Sequence, residues 1–311
     1  MAKKHAFHIE ITNKCIIECS NCPRTWLKQK FPKIKQVDEM DIDMLCNFLE
    51  GVTEEVHFEG NTGDVIYHSK FLELVEKIKK MQIRIIITTN GSGKRISFWK
   101  SLIDLLSPTD TIMFSVDGLE DTNHIYRKNS KWNTILPAIK LVGESDLQSV
   151  WKFIVFKHNE HQIEEARNFS KKLGIDTFKL VKSNRNWSPD YPTELIPSKE
   201  YHDDLVEPRG DLLHGKQPTG MNPQCLKKGK GKMDAFISVF GDYYPCCYMG
   251  SYNYQYKSIW NPKLQTFNIK HKRIKDILQN KLVMDFYKST KSLQTASRCC
   301  KIYCGEINGR L

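Results

Sequence analysis

HIEITNKCIIECSNCPRTW, residues 8–26, ends an apolar β-type run and then sets Cys15, Cys19 and Cys22 within eight residues. At that spacing a single loop can wrap three corners of an iron–sulfur cube. Three thiolates leave one iron open. An open iron binds a small molecule and passes an electron into it, whereas a structural metal site closes its coordination sphere. The competing reading is a zinc knuckle that recruits His8 or Cys46 as fourth ligand. Cys46 itself sits in the apolar pattern MDIDMLCNFLEGV and reads as a buried structural thiol.

Outward from this loop, short β-branched runs alternate with amphipathic helical stretches, the signature of βα units and a parallel sheet. Strands are expected at Ala6–Thr12, Glu55–Phe58, Ile83–Thr88, Thr111–Val116, Val150–Phe156 and Thr177–Val181. Helices are expected at Met40–Glu50, Lys70–Met81, Ile96–Leu106, Trp132–Val142 and Gln162–Leu173, the last stopped by Gly174. Six such repeats fit a partial barrel or an open doubly wound sheet, and both gather ligands at the C-terminal strand ends. There the chain places the cysteine loop, Glu59-Gly60-Asn61-Thr62-Gly63-Asp64, Thr89-Asn90-Gly91 and Asp117-Gly118. Lys152 and His158-Asn159, around the fifth strand, either face the same rim or are solvated strand ends.

The 311 residues carry ten cysteines, and 47 Lys+Arg against 36 Asp+Glu give a net charge of +11. That length allows one large α/β domain plus a small one. No run approaches the roughly 18 apolar residues of a membrane span, and MAKKHAFHIE lacks a signal-peptide core. A cytoplasmic location is expected, where clustered thiolates are metal or iron–sulfur ligands more often than disulfides. The positive charge suits nucleic acid, nucleotides or another anionic substrate without choosing among them. Residues 186–223 lose periodicity and gain Pro, Asn and Asp, which reads as a linker between a domain at 1–185 and another at 224–311.

With its Cys-x3-Cys-x2-Cys directly after the first strand, the chain resembles the radical S-adenosylmethionine (SAM) superfamily. That resemblance implies a partial (β/α)6 TIM-like barrel and a [4Fe-4S] cluster on Cys15, Cys19 and Cys22. The position before the third cysteine, often aromatic in the family, is Asn21 here. Glu59, Gly60, Asn61, Gly63 and Asp64 stand where the family's glycine-rich motif holds the SAM amino group, as a variant of the usual Gly-Gly-Glu-Pro. Thr89 and Asn90 join that rim. Ser115 and Asp117, in SVDG, resemble the segment that meets the methionine and ribose parts of SAM. Arg127, in HIYRKNSKW, resembles the arginine that pairs with the SAM carboxylate, and a guanidinium fork suits a carboxylate.

A second group comprises Cys225, Cys246, Cys247, Cys299, Cys300 and Cys304. CLKKGKGKMDAFISVFGDYYPCC resembles the Cys-x(9 to 15)-Gly-x4-Cys opening of the SPASM and Twitch extensions, where a hairpin brings cysteines to an auxiliary cluster. A hairpin is expected from Ala235–Phe240, turning at Gly241-Asp242, and a helix over Lys275–Tyr287. Six cysteines are too few for two further clusters, so a single auxiliary [4Fe-4S] cluster on Cys225, Cys246, Cys300 and Cys304 is expected, with a four-thiolate zinc site as the alternative. Adjacent cysteines in an extended strand point to opposite faces, and Cys246 is the one in register with Gly241. Cys300 is preferred to Cys299 because four residues separate it from Cys304, which places both on one helix face.

By resemblance the protein is an oxidoreductase- or transferase-type enzyme that reductively cleaves SAM to a 5'-deoxyadenosyl radical and takes hydrogen from a peptide or a sugar- or nucleotide-type small molecule. An electron donor such as flavodoxin or ferredoxin is implied. The start of the chain at the first strand is expected to leave no leader-peptide recognition domain, which counts against a ribosomal-peptide maturase. Lys227, Lys228, Lys230 and Lys232 suit a phosphate-bearing or nucleotide-sugar substrate or form a solvated loop. The reading from another class is a non-catalytic cysteine–metal module that binds nucleic acid through its charge.

Overall fold

The computed structural model describes residues 5–30, 38–181, 195–198, 218–223, 234–250, 267–297, 300–301 and 304–306. Cys225, Cys299, the lysine run 227–232 and most of the expected linker lie outside the described residues. In chain order the elements are β1 (His5–Ile9), α1 (Pro23–Lys30), α2 (Ile42–Leu49), β2 (Thr53–Phe58), α3 (Phe71–Lys80), β3 (Arg84–Thr89), α4 (Ile96–Leu105), β4 (Thr111–Ser115), α5 (Asn123–Tyr126) and α6 (Trp132–Gly143). They continue with β5 (Gln148–Ile154), α7 (Ile163–Lys172), β6 (Thr177–Val181), β7 (Gly220–Met221), β8 (Asp234–Ile237), β9 (Tyr243–Tyr244), α8 (Ile274–Leu278), α9 (Lys281–Ser289) and β10 (Gly305–Glu306). All six strands and five helices read from the alternating pattern are present, with ends shifted by a few residues.

The chain divides into two compact units: residues 1–11, 38–57 and 208–311 form one, residues 12–37 and 58–207 the other. In the second unit β3, β4, β5 and β6 lie side by side and parallel. Their alternation decides which residues enter the core. Ile85 and Ile87, Ile112 and Phe114, Trp151 and Phe153 are buried on one face, while Thr88, Met113, Ser115, Lys152 and Ile154 on the other remain half-exposed. Helices supply the rest of the core at helical spacing, as with Phe71, Leu74, Val75 and Ile78 of α3. After α7, Gly174 adopts a φ of +80° beside the Gly143 carbonyl, a left-handed stop that returns the chain to β6.

In the first unit β1 pairs with β8 in parallel, Phe7 opposite Ala235 and Ile9 opposite Ile237. No local pattern announces that pairing. Helix α2 is capped by Asp41, whose Oδ1 accepts from the backbone N–H of Asp43 and Met44 at 2.9 Å each, and its Phe48 meets Phe7 edge-on. Strand β8 ends at Ile237, short of the expected Phe240, because Ser238 accepts from the Gly241 N–H at 2.8 Å and begins the turn early. The single helix expected over Lys275–Tyr287 is two helices. Asn280 adopts extended backbone between them and its side chain caps α9 by accepting from Leu282 N at 2.9 Å.

Trp151 is fully buried and its Nε1 donates to the Val116 carbonyl at 2.9 Å, joining β5 to the end of β4. Trp151→Ala is therefore expected to cost about 3–5 kcal/mol, read as a lower midpoint in anaerobic urea unfolding.

Candidate functional site

The cysteine loop begins at Thr12 and is shaped by its neighbours before any metal is considered. Its backbone is pinned at two points: Glu18 N donates to Lys128 O at 2.9 Å and Ser20 N to Tyr126 O at 3.1 Å. Inside the loop Cys22 N donates to Cys19 O at 3.2 Å. Pro23 then opens α1, a position whose missing N–H costs a helix nothing, and the buried Arg24 of that helix reaches back to the Ile17 carbonyl. Around the three thiols lies one apolar cluster of Ile17, Cys19, Tyr126, Phe156 and Leu195, with Cys15, Cys22 and Ile154 packed against it. Cys19 is buried in that cluster, and Cys15 and Cys22 are half-buried against it.

The loop after β2 fits against the cysteine loop through glycine. A Cβ at Gly63 would lie 2.0 Å from the Thr12 carbonyl oxygen and 2.7 Å from the Asn13 Cα, and one at Gly60 would lie 2.0 Å from the Gly63 oxygen. Both positions thus demand an absent side chain because backbone passes over backbone. Asp64 follows, its N–H donating to Lys14 O at 2.9 Å. Its buried carboxylate accepts from Asn90 N at 2.7 Å, from the Asn90 side-chain amide, from Thr89 Oγ1 at 3.1 Å and from Ile66 N at 3.3 Å. Burial raises the pKa of Asp64, and these donors oppose the rise. Asn90 Nδ2 also lies 3.6 Å from Cys15 Sγ. Burial, with the Asp64 charge added, pushes the Cys15 thiol up to about 12, so a cation at the loop is what would make it a thiolate.

Expected site residues also meet on the far side of the loop. Arg127 and Asp117 are both buried, with Arg127 Nε 2.7 Å from Asp117 Oδ2. Neither atom has an aligned hydrogen bond. Burial raises the pKa of Asp117, the guanidinium acts against that, and Arg127 in turn feels Cys19. Asp117 Oδ1 accepts from Ile154 N at 2.8 Å. Asn159, one of the polar groups at the end of β5, is fully buried and staples strand ends together, its amide donating at 2.9 Å to Asp117 O and to Ile154 O. His158 stacks on Phe156 at 5.4 Å, and burial first, then His161 and His124, lowers its pKa to about 4. Glu59 lies within electrostatic reach of Lys152. Ser115 pairs with Lys152 across β4 and β5.

In the first unit three of the C-terminal thiols gather. Cys300 lies within electrostatic reach of both Cys246 and Cys304, and burial pushes it up to about 11. Cys300 and Cys304 both have helical backbone. Cys246 and Cys247 are not in an extended strand: β9 ends at Tyr244, a helical turn begins at Cys247, and the two thiols are hydrogen-bonded, which lowers the pKa of Cys246. The opposite-face geometry expected for this pair is therefore absent, because Pro245 ends the strand. Sequence reasoning also missed Arg24, Tyr126, Phe156 and Leu195; of these, only Arg24 had a signal, its place in a helix opened by Pro23.

These arrangements fit iron–sulfur chemistry: sulfur donors set against an apolar cluster, and buried Asp117 and Arg127 atoms with unspent hydrogen-bonding directions beside Cys19. Residues 9–170 match the family model described as the Radical SAM superfamily, and residues 225–304 match the SPASM model, an iron–sulfur cluster-binding domain. S-adenosylmethionine and iron–sulfur clusters, one of them auxiliary, are accordingly the cofactors of this chain. A curated relative, the tungsten-containing aldehyde ferredoxin oxidoreductase cofactor-modifying protein of Pyrococcus furiosus, is 22% identical over 201 residues, covering 61% of this chain and 54% of the relative. The chain thus spans about half the length of that relative. Streptococcus suis SuiB bound to precursor peptide SuiA is a structural neighbour, with a TM-score of 0.63 and 15% identity over 93% of this chain and 67% of that one. BtrN in complex with AdoMet and 2-DOIA has a TM-score of 0.52 and 16% identity over 98% and 94%. The shared fold is the partial TIM-like barrel with a C-terminal iron–sulfur domain. Among the described residues no helix is long and apolar enough to cross a membrane.

Because a Cβ at Gly63 has no space against Thr12 and Asn13, Gly63→Ala is expected to displace the cysteine loop. Anaerobically reconstituted Gly63→Ala protein should lose about half its iron and visible absorbance, the share of one cube of two, while its circular dichroism stays close to wild type.

Proposed function

The chain belongs to the radical SAM superfamily, and on that premise we propose that it reductively cleaves S-adenosylmethionine and removes a hydrogen atom from a carbon of an organic substrate. The observation that carries this reading is the convergence of Cys15, Cys19 and Cys22 on one apolar cluster, tied through Asn90 to the Asp64 carboxylate. These thiolates would hold a [4Fe-4S] cluster with one open iron. The chemistry supplied by that cluster with SAM is cleavage to methionine and a 5'-deoxyadenosyl radical. The protein's own contribution is positional. Ile17, Tyr126, Phe156 and Leu195 keep water from the thiols, Gly60 and Gly63 let the loop after β2 approach them, and Asp64 fixes Thr89 and Asn90 at the rim. Glu59, Asn61 and Ser115 complete the polar edge offered to SAM, and Arg127, held by Asp117, supplies its positive charge.

Residues 1–185 form the SAM-cleaving segment in this reading and residues 224–311 the auxiliary-cluster segment. Cys225, Cys246, Cys300 and Cys304 would hold the auxiliary [4Fe-4S] cluster, supported by the electrostatic reach of Cys300 to both Cys246 and Cys304. A peptide or small-molecule substrate, a flavodoxin or ferredoxin as electron donor and a reducing cytoplasm complete the proposal. Nucleic-acid binding by a non-catalytic module has no observation in its favour beyond net charge.

Two measurements test the reading. Anaerobically reconstituted protein should hold about eight iron atoms and form 5'-deoxyadenosine from SAM and a strong reductant. Joint replacement of Cys15, Cys19 and Cys22 by Ala should abolish that product and remove about half the iron. A reconstituted wild type that forms no 5'-deoxyadenosine would sink the proposal. In the tail, Cys→Ser at Cys247 or Cys299 should preserve iron content, and the same change at Cys225, Cys246, Cys300 or Cys304 should deplete it. Zinc in place of iron, or iron lost from the Cys247 variant, would reassign the auxiliary ligands.

A further inference from the structure

On the half-exposed face of the sheet β3–β6 a polar row continues outward from Ser115, beyond the edge offered to SAM. Ser115, Lys152 and Lys179 are direct neighbours across β4, β5 and β6, and partners in a parallel pair project to the same face. One strand further along, Thr89 pairs with Phe114, so Asn90, beside the Cys15 thiol, falls next to Ser115 at the head of the row. The row therefore runs from the cysteine loop outward to two lysines. Strands are about 4.8 Å apart, so two ammonium groups stand on adjacent strands of one face, an arrangement that like-charge repulsion disfavours. Among the described residues neither lysine forms an ion pair. Lys152 is half-buried; its pKa is lowered, first by burial, with Lys179 and Arg127 adding to the effect and Glu59 and Asp117 opposing it.

Lys179 is exposed on β6, the edge strand of the described sheet, and Lys152 beside it is half-buried, so one solvated and one partly desolvated ammonium share a face. We propose that Lys152 and Lys179 anchor a phosphate group of the substrate, which makes that substrate a phosphorylated, hydroxyl-bearing small molecule such as a sugar phosphate or nucleotide. This rests on the reading of the site as a SAM-cleaving centre and names the substrate class for it. Phosphate is favoured over carboxylate because a dianion spreads its oxygens over both ammonium groups, whereas a carboxylate leaves one positive charge uncompensated. Glu59 acts on Lys152 more strongly than Asp117, the other carboxylate within its electrostatic reach. It repels a phosphate placed directly on it and accepts from hydroxyls, which orients the phosphate toward Lys179 and the hydroxyl-bearing part toward the cysteine loop.

The test uses reconstituted holoenzyme and inorganic phosphate as the probe, titrated calorimetrically with SAM present. Saturable binding is expected, weakened by about tenfold or more in Lys152→Met and in Lys179→Met, the loss of one charge-assisted hydrogen bond. Lys152→Arg keeps the charge and should bind within roughly threefold of wild type, which separates a lost charge from a damaged fold. Absence of binding to wild type, or binding by both Met variants as tight as that of wild type, overturns the anchor. If SAM displaces phosphate competitively, the row holds the cofactor's carboxylate and the substrate assignment falls. The SAM-cleaving reading is judged separately by 5'-deoxyadenosine from the wild type, so phosphate binding without that product rejects the reading and leaves the anion site standing.

Discussion

The carboxylate of Asp64 is the interaction on which the rest of the site depends. Removing a carboxylate from water costs several kcal/mol, and each hydrogen bond to it returns about 1.5–3 kcal/mol. Four donors reach this one, from Ile66, Thr89 and both nitrogens of Asn90. Gain and cost are of similar size, so Asp64 contributes little net stability. What it contributes is position: the loop after β2, the end of β3 and, through its own N–H on Lys14 O, the cysteine loop are held to one point.

A second constraint is steric and works with the first. Gly63 lets backbone lie on backbone at Thr12, so the hydrogen bond from Asp64 N to Lys14 forms one residue later without bending either loop. Apolar contacts then close the remaining side, where Tyr126 and Phe156 stand with ring centroids 4.4 Å apart beside Cys19. Polar fixing on one flank and dry packing on the other suit a reactive intermediate, because the protein must hold a substrate carbon still and keep water away.

Much of this was legible in the chain. The cysteine spacing pointed to the cluster, and short β-branched runs between amphipathic helices located six strands, of which β3 and β5 bury every second residue. The residues of the rim were also legible, since polar and glycine-rich loops at consecutive strand ends are uncommon without a ligand. Their partners were not. Asp64 and Arg127 read as cofactor contacts, and the sequence did not show that Asp64 also accepts from Thr89 and Asn90 or that Asp117 lies beside Arg127. Cys246 and Cys247 misled for a local reason: Pro245 ends β9 and turns an expected strand pair into the start of a helical turn. Lys152 gave no local sign of its neighbour, because register across strands is a tertiary property.

The parallel pairing of β1 with β8 carries a consequence for biosynthesis. Ala6 meets a residue encoded about 230 positions later, Asp234. At ribosomal speeds of 5–20 residues per second, the first strand waits roughly 10–50 s for that partner to be made. Parallel pairing over such a separation also bears a large loop-closure cost, so it forms late even after synthesis. During that interval the edge of β1 that β8 will occupy stays open and sticky, immediately upstream of Cys15, Cys19 and Cys22. Overproduction of this chain should therefore expose it to aggregation of nascent protein, and fewer chains in synthesis at once is the physical remedy.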